Sequence, residues 1–176
     1  MRKLKLQELN RLNVEEYQKT QKIPLVLVLD NIRSMQNVGS LFRTADGFAV
    51  EKIVLCGITA QPPHRDIQRA ALGATESVDW SYIENVAEAC SSLKKEGYQI
   101  LALEQTSNSQ FLKDFEPKPS TKYALVVGNE VDGVSDSVLH LVDQALEIEQ
   151  FGTKHSFNVG VAAGMAIYQL SVRMRR

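Results

Sequence analysis

Residues 145–169 read ALEIEQFGTKHSFNVGVAAGMAIYQ, and they predict a strand, a polar loop and a helix in immediate succession. ALEIE has the length and alternation of a short strand, whereas FGTKH has no apolar periodicity. Ser156 and Asn158 are both suited to cap the helix, because a short side-chain oxygen accepts hydrogen bonds from the unpaired amides of a first turn. Gly160 and Gly164 each cost about 0.5–1 kcal/mol relative to alanine, so they indicate close approach of another backbone or of a bound molecule. A tightly packed core helix with a good cap is the alternative interpretation.

Strands of a similar kind precede this segment at intervals along the chain. Most are continuous apolar runs, which are typical of strands buried on both faces of a parallel sheet. They are LVLVLD at 25–30, KIVLCGI at 52–58, YQILAL at 98–103 and YALVVG at 123–128, with an extended ESVDW at 76–80. Helical segments separate these strands. The sequence therefore predicts an α/β domain with a mainly parallel sheet of about five or six strands flanked by helices.

Helical periodicity is clearest after the first strand, where apolar residues recur at 38, 41, 42, 45 and 48. Arg43 lies opposite this apolar stripe and is expected to be exposed. Two more helices are predicted at 84–96, ended by Gly97, and at about 135–142. An N-terminal helix is predicted at 4–20, buried through Leu4, Leu6, Leu9, Leu12 and Tyr17. Residues 1–24 are thus expected to be a helical extension of a main domain formed by residues 25–176.

The composition, 44% hydrophobic and 23% charged over 176 residues, is ordinary for one soluble globular domain. No apolar run approaches the roughly 20 residues that span a bilayer, and the charged start MRKLKLQELNR has no signal-peptide pattern. We therefore expect a cytoplasmic protein without a membrane partner. Cys56 and Cys90 form no CxxC pair and the three histidines are scattered, so neither a disulfide framework nor a metal site is predicted.

Charge is segregated along the chain although the formal net charge is only −1. Residues 1–22 hold six basic and three acidic side chains, and residues 151–176 hold four basic and no acidic ones. A polyanion would be attracted to the two ends if they meet in space, whereas a mildly acidic chain argues against broad nonspecific binding of nucleic acid. Complementation of the last helix dipole by C-terminal arginines is the simpler alternative.

Three polar, glycine-containing loops follow predicted strands, at 31–43, 128–133 and 152–158. Ligands bind at the carboxyl ends of strands in open parallel sheets, so these loops are expected to form the binding site. The GxGxxG and GxxxxGK[ST] patterns are both absent, which argues against ordinary dinucleotide and nucleoside triphosphate sites.

Together the three loops resemble the three motifs of the SpoU family, also called the TrmH family, of RNA ribose methyltransferases in the SPOUT superfamily. The first motif is similar to NVGSLFRTAD at 37–46, the second to LVVGNEVDGVS at 125–135 and the third to IEQFGTKHSFNVGVAAG at 148–164. Three motifs in the same order and with matching separations are far more specific than any one of them. The resemblance covers residues 25–170 approximately.

The resemblance implies S-adenosylmethionine as the methyl donor, a ribose 2′-hydroxyl of RNA as the acceptor, a homodimer, and a C-terminal trefoil knot. It favours tRNA as the substrate, with rRNA as the alternative, because ribosomal members commonly carry an N-terminal RNA-binding domain and only about 24 residues precede the first predicted strand here. A noncatalytic RNA-binding or assembly factor with the same fold is the competing hypothesis. Binding of S-adenosylmethionine separates the two.

The family's functional positions match this chain residue by residue. The implied catalytic residues are Asn37, Arg43, Glu130, Ser156 and Asn158, and the implied cofactor-binding residues are Val127, Gly128, Asn129, Ile148, Phe157 and Asn158. Because a guanidinium keeps its proton and is a poor base, we expect Arg43 to stabilise an oxyanion or an adjacent phosphate. The chain departs from the family in its third motif at Glu149, Phe157 and Gly160, of which Glu149 is expected to alter the cofactor rim.

Overall fold

The computed structural model describes residues 1–175, except for the side chain of Leu6. Within this range the fold is built on one sheet of seven parallel strands in the order β3-β2-β1-β6-β4-β7-β5. They are β1 Ile23–Asp30, β2 Val50–Cys56, β3 Trp80–Ile83, β4 Tyr98–Leu103, β5 Gln110–Phe111, β6 Lys122–Val127 and β7 Gln144–Glu147. The α/β class and the parallel sheet are confirmed. The number of five or six strands is wrong, because β5 has only two residues and is too short to show a period.

Seven α-helices occur in the described range, together with 3₁₀ turns at Leu6–Leu9 and Leu112–Asp114. The helices are α1 Val14–Lys19, α2 Met35–Phe48, α3 Arg65–Ala71, α4 Ala74–Ser77, α5 Val86–Lys95, α6 Asp136–Leu139 and α7 Val159–Met174. The helices predicted at 84–96 and after the first strand are confirmed, whereas α6 is shorter than the predicted 135–142. The extended segment ESVDW begins instead as helix α4, and the strand starts only at Trp80.

Helices cover both faces of the sheet, and β1 shows how the side chains are divided. Leu25, Leu27 and Leu29 pack on one face with α2, α3, α4 and α7, while Val26 and Val28 pack on the other with α5 and α6. Because successive side chains of a strand point to opposite faces, a continuous apolar run fills both cores. Cys56 and Cys90 are free and buried in the second core, where burial is the main cause that raises the pKa of each thiol to about 12.

The N-terminal segment departs most from its prediction. Residues 4–20 do not form one helix, and Leu4, Leu9 and Leu12 are exposed, so the predicted apolar side is wrong at these positions. The predicted burial of Leu6 lies outside the described part of the structure. Tyr17 is buried as predicted, and α1 packs on α4. A regular spacing of leucines was therefore not sufficient to define a core-facing helix.

The glycines of α7 have different surroundings. A Cβ on Gly160 would lie 3.2 Å from Asn158 Oδ1 and 3.7 Å from Asn37 Oδ1, whereas a Cβ on Gly164 would meet no atom within 4 Å. The atoms nearest to Gly160 belong to side chains and not to another backbone, so the predicted approach of a backbone is not observed at either glycine. The trefoil knot and the division at residue 24 stay predictions. Within residues 1–175, no helix is both long enough and apolar enough to span a bilayer.

Candidate active site

Four loops meet at the carboxyl edge of the sheet, after the neighbouring strands β1, β6, β4 and β7. Loops after β4, β6 and β7, with the start of α7, line a cavity of about 480 Å³. The lining includes Ser156 and all six predicted cofactor-binding residues, Val127, Gly128, Asn129, Ile148, Phe157 and Asn158. The parallel sheet therefore brings together two of the three motifs around one cavity, and the third reaches it by hydrogen bonds.

A chain of side-chain hydrogen bonds connects the three motifs. Asn158 Nδ2 donates to Asn37 Oδ1 at 3.2 Å, and Asn37 Nδ2 donates to Glu130 Oε1 at 2.8 Å. Asn158 and Glu130 line the cavity, while Asn37 lies in the first turn of α2 between them. Asn37 lies more than 90 positions before both Glu130 and Asn158 in the sequence, and the three side chains form one polar constellation.

Glu130 also holds the start of α2. Its two carboxylate oxygens accept from the Arg33 amide at 3.0 Å and from the Ser34 amide at 3.1 Å. Burial acts to raise the pKa of Glu130, but the hydrogen bonds from Arg33, Asn37 and Ser34 outweigh it and hold this pKa below its ordinary value. The carboxyl group is therefore ionised at neutral pH and acts only as an acceptor.

Asn158 is the cap of α7. Its Oδ1 accepts from the amides of Gly160 at 2.9 Å and Val161 at 3.2 Å, which leaves Nδ2 for the bond to Asn37. Of the two predicted caps, Asn158 has this role; Ser156 is exposed and lines the cavity instead. One asparagine side chain thus fixes the helix start and joins it to the other motifs.

The loop after β6 is folded back on itself. A Cβ on Gly128 would lie 2.1 Å from the carbonyl carbon of Gly133, so only glycine fits there. Asn129 pairs with Gly133 through both backbone groups, at 2.9 and 3.0 Å, and its Nδ2 donates to the Asn31 carbonyl at 3.0 Å. Glu104 Oε2 accepts from the Val134 amide at 2.9 Å and lines the cavity. Sequence reasoning missed Glu104, although its place directly after a buried strand was a usable signal.

A buried carboxylate ties this loop to the end of β1. Asp30 is 0% exposed, and it accepts from the Ser135 amide at 2.7 Å, the Ser135 hydroxyl at 3.0 Å and Asn31 Nδ2 at 2.8 Å. These donors satisfy a charge that would otherwise be costly to bury. The start of α6 is thereby fixed relative to β1.

Arg43 lies outside this constellation. It is six residues beyond Asn37 on α2, which is about 9 Å along the helix axis and on another side of the helix. Its exposed side chain lines a second cavity with Arg11 and Arg175. A single chain therefore brings together Asn37, Glu130 and Asn158 at the cavity of Ser156, but not Arg43.

Glu149 is placed away from the cavity that it was expected to alter. Its neighbours Ile148 and Gln150 are among the lining residues, and Glu149 is not. The Glu149 carboxylate forms an ion pair with Lys113, next to the 3₁₀ turn at Leu112–Asp114. This departure from the family pattern therefore affects the surface beside the site.

The first cavity is acidic, and we call it the acidic cavity. Four carboxylates line it, Glu104, Glu130, Asp132 and Glu147, and in the described part of the chain no lysine, arginine or histidine does. Such a lining repels polyphosphates and favours a ligand with net positive charge. Apolar walls from Leu103, Leu146, Ile148, Phe157 and Val159 would cover uncharged parts of the ligand. Across residues 1–175, no cluster of histidine, cysteine, aspartate or glutamate is arranged to hold a metal ion.

Comparisons with known proteins find relatives that are similar in sequence and in fold. The 23S rRNA (guanosine-2′-O-)-methyltransferase RlmB of Neisseria meningitidis serogroup B is 31% identical over 144 residues, which cover 82% of this chain and 56% of the relative. The structure of the A. aeolicus TrmH/SpoU tRNA modifying enzyme matches with a TM-score of 0.81 and 23% identity over 92% of this chain and 81% of that one. An AdoMet-bound rRNA methyltransferase from Sinorhizobium meliloti matches with a TM-score of 0.78 and 24% identity, over 87% of this chain and 58% of that one.

The chain spans between half and two thirds of the length of the curated relatives it matches. The model of one family, described as the SpoU rRNA Methylase family, matches residues 24–168 and so includes all three motifs. On this match, the chain belongs to the SpoU rRNA Methylase family.

Proposed function

We propose that the protein is an S-adenosylmethionine-dependent RNA methyltransferase that modifies a ribose 2′-hydroxyl. The observation that carries the proposal is the hydrogen-bond chain from Asn158 through Asn37 to Glu130. This hydrogen-bond chain joins the three motifs, and the residues at its two ends, Asn158 and Glu130, line the acidic cavity. Family membership supports the same activity.

The lining of the acidic cavity fits S-adenosylmethionine. Its volume of about 480 Å³ lies within the usual range for small-molecule sites, and its carboxylates suit a ligand with one net positive charge. When bound, S-adenosylmethionine supplies a methyl group carried on a positively charged sulfur. We assign its binding to Val127, Gly128, Asn129, Ile148, Phe157 and Asn158.

The polar residues have distinct proposed roles. Asn37 is held on both sides, by Asn158 and by ionised Glu130, and would present a fixed amide to the ribose. Ser156 and Asn158 would position the 2′-hydroxyl. Arg43 would stabilise the oxyanion that develops as this hydroxyl loses its proton, or the adjacent phosphate, because preorganised positive charge favours that state.

Arg43 requires a second copy of the chain for this role, since one chain keeps it at another cavity. We therefore propose a homodimer. Helix α7 offers a surface for it, because Val161, Tyr168 and Val172 are exposed at spacings of seven and four residues and so form one apolar stripe. Pairing of two copies through this stripe would bury it.

Methyl transfer to isolated RNA tests the proposal. Tritiated S-adenosylmethionine is incubated with the protein and with tRNA or rRNA, taken from cells that lack the protein. We expect incorporation into tRNA or rRNA; tRNA remains our first expectation, and the name of the Neisseria relative supports rRNA. Transfer to neither RNA, by a protein that is folded, would contradict the proposed activity.

Arg43→Ala tests the role of the arginine. We expect at least a hundredfold loss of methyl transfer with unchanged affinity for S-adenosylmethionine, because an oxyanion stabiliser acts mainly in the transition state. Calorimetry with S-adenosylmethionine also separates the enzyme from a noncatalytic RNA-binding or assembly factor. The hypothesis of a noncatalytic factor predicts that the wild type does not bind S-adenosylmethionine.

A further inference from the structure

A second cavity, of about 580 Å³, lies between the N-terminal segment, α2, α4 and the end of α7. Arg11, Arg43 and Arg175 line it, and we call it the arginine cavity. Arg175 Nη2 donates to the Phe48 carbonyl at 3.0 Å. Within residues 1–175, no carboxylate forms an ion pair with Arg11 or Arg43. The cavity therefore presents the guanidinium groups of Arg11 and Arg43 without an ion pair in the described chain, although Asp46 and Glu76 also line it.

Tyr17 gives a second, independent indication of a ligand. Its side chain lines the arginine cavity and is only 8% exposed, yet its hydroxyl is buried without a hydrogen-bond partner in the described part of the chain. Burial, followed by the charges of Asp46 and Asp79, raises the pKa of Tyr17 to about 12. The hydroxyl is therefore protonated at neutral pH and is a donor without an acceptor, which is costly. Because the hydroxyl is closed to solvent in this structure, the side chain must turn for a ligand in the cavity to accept from it.

The two cavities have opposite electrostatic character. In the described part of the chain, the charged residues that line the acidic cavity are all carboxylates. The arginine cavity has three arginines and two carboxylates, Asp46 and Glu76, and Asp46 already accepts from the Ser77 hydroxyl. An RNA phosphate is repelled by the first lining and attracted by the second. Arginine is also the residue best suited to bind phosphate through two parallel hydrogen bonds.

We propose that the arginine cavity binds one nucleotide of the substrate RNA, with Arg11 and Arg175 on its phosphate and Tyr17 donating to an oxygen of the same nucleotide. The proposal rests on the proposed function, because it takes RNA as the substrate. It makes the N-terminal segment, through Arg11 and Tyr17, part of the RNA-binding surface. Leu12, Val14 and Leu72 supply apolar lining for a base.

Tyr17→Phe distinguishes a binding role from a structural one. Fluorescence anisotropy measures binding of fluorescein-labelled bulk tRNA and of a labelled rRNA transcript. We expect Tyr17→Phe to bind the RNA that accepts methyl groups about tenfold more weakly than the wild type does, because a hydrogen bond to a charged or polar ligand is lost. If neither RNA accepts methyl groups, the comparison is made with bulk tRNA. Thermal stability is expected to be unchanged or higher, since an unpaired buried hydroxyl is removed. Unchanged RNA affinity would overturn the proposal.

The double variant Arg11→Ala/Arg175→Ala tests the phosphate contact without touching Arg43. We expect at least tenfold weaker RNA binding and a shallower dependence on salt, by about two units in the log–log slope. Lys95→Ala is the matched control, because Lys95 is exposed on α5 across the sheet and is expected to leave both quantities unchanged. Wild-type affinity in the double variant, or no RNA binding by the wild type, would also overturn the proposal.

Calorimetry with S-adenosylmethionine keeps the two failures apart. All of these variants are expected to bind it as the wild type does, because the arginine cavity shares no residue with the acidic cavity. A wild type that neither binds S-adenosylmethionine nor transfers methyl groups contradicts the proposed function. Normal methyl transfer with unaffected RNA binding in the variants contradicts only the RNA site.

Discussion

Asn158 combines two tasks in one side chain, since its oxygen caps α7 and its nitrogen donates to Asn37. Asn85 offers a matched control, because its oxygen caps α5 through the same pattern of two amides, from Ala87 at 2.8 Å and Glu88 at 3.3 Å. Replacement of either asparagine by alanine is expected to cost about 1 kcal/mol of unfolding free energy, measured with denaturant. Only Asn158→Ala is expected to abolish methyl transfer. Equal activity of the two variants would show that the bond to Asn37 is dispensable.

Individual site residues were predictable to different degrees. Asn37, Glu130 and Asn158 were singled out through the family motifs, and no periodicity in the sequence shows that their side chains touch. Their contacts arise because β1, β6, β4 and β7 are neighbours in the sheet, which is a matter of strand order. Glu104 belongs to no motif that was recognised, and only the sheet places it beside Val134. The sequence therefore predicted that the three loops share one site, and it did not predict which of their side chains are in contact.

The loop after β6 depends on a backbone crossing that excludes any side chain at Gly128, where a Cβ would lie 2.1–2.3 Å from the backbone of Gly133 and Val134. Gly128→Ala must therefore move this loop, and we expect loss of S-adenosylmethionine binding in calorimetry together with a lowered Tm. Gly152→Ala is the control, since a Cβ there meets no atom within 4 Å. The interpretation is wrong if both variants bind S-adenosylmethionine equally well.

Helices and strands were predicted best where burial repeats with a regular period. Helix α2 has Val38, Leu41, Phe42 and Ala45 all buried, and its prediction is confirmed. The N-terminal leucines have a comparable spacing, but Leu4, Leu9 and Leu12 have no core to enter, because α2, α3, α4 and α7 already cover that face of the sheet. Periodicity shows which side chains share a face of a helix, but it does not show whether a core is available for that face to pack on. Strand β5 was not predicted, because two residues are too few to display an alternation of buried and exposed side chains.

The assembled molecule is proposed to be a homodimer whose contact includes the exposed side of α7. Tyr168 is 59% exposed at the centre of that stripe, so Tyr168→Glu is expected to convert a dimer into a monomer in sedimentation velocity. Methyl transfer is expected to be lost with it, and S-adenosylmethionine binding to remain. Ile58→Glu is the control, because Ile58 is 66% exposed in the loop after β2, whereas α7 packs mainly on α2, β4 and the 3₁₀ turn at Leu112–Asp114. A wild type that sediments as a monomer would contradict the proposal.

The two buried cysteines, Cys56 and Cys90, can report transient opening of the core that they share. Cys56 on β2 and Cys90 on α5 share one core, and a pKa near 12 leaves almost no thiolate at pH 8 in the closed state. A disulfide reagent such as Ellman's should therefore modify both thiols only when α5 lifts from the sheet, at a rate set by that opening. We expect slow modification of the native protein and rapid modification in denaturant, followed by absorbance at 412 nm. Rapid modification under native conditions would mean that α5 separates readily from this side of the sheet.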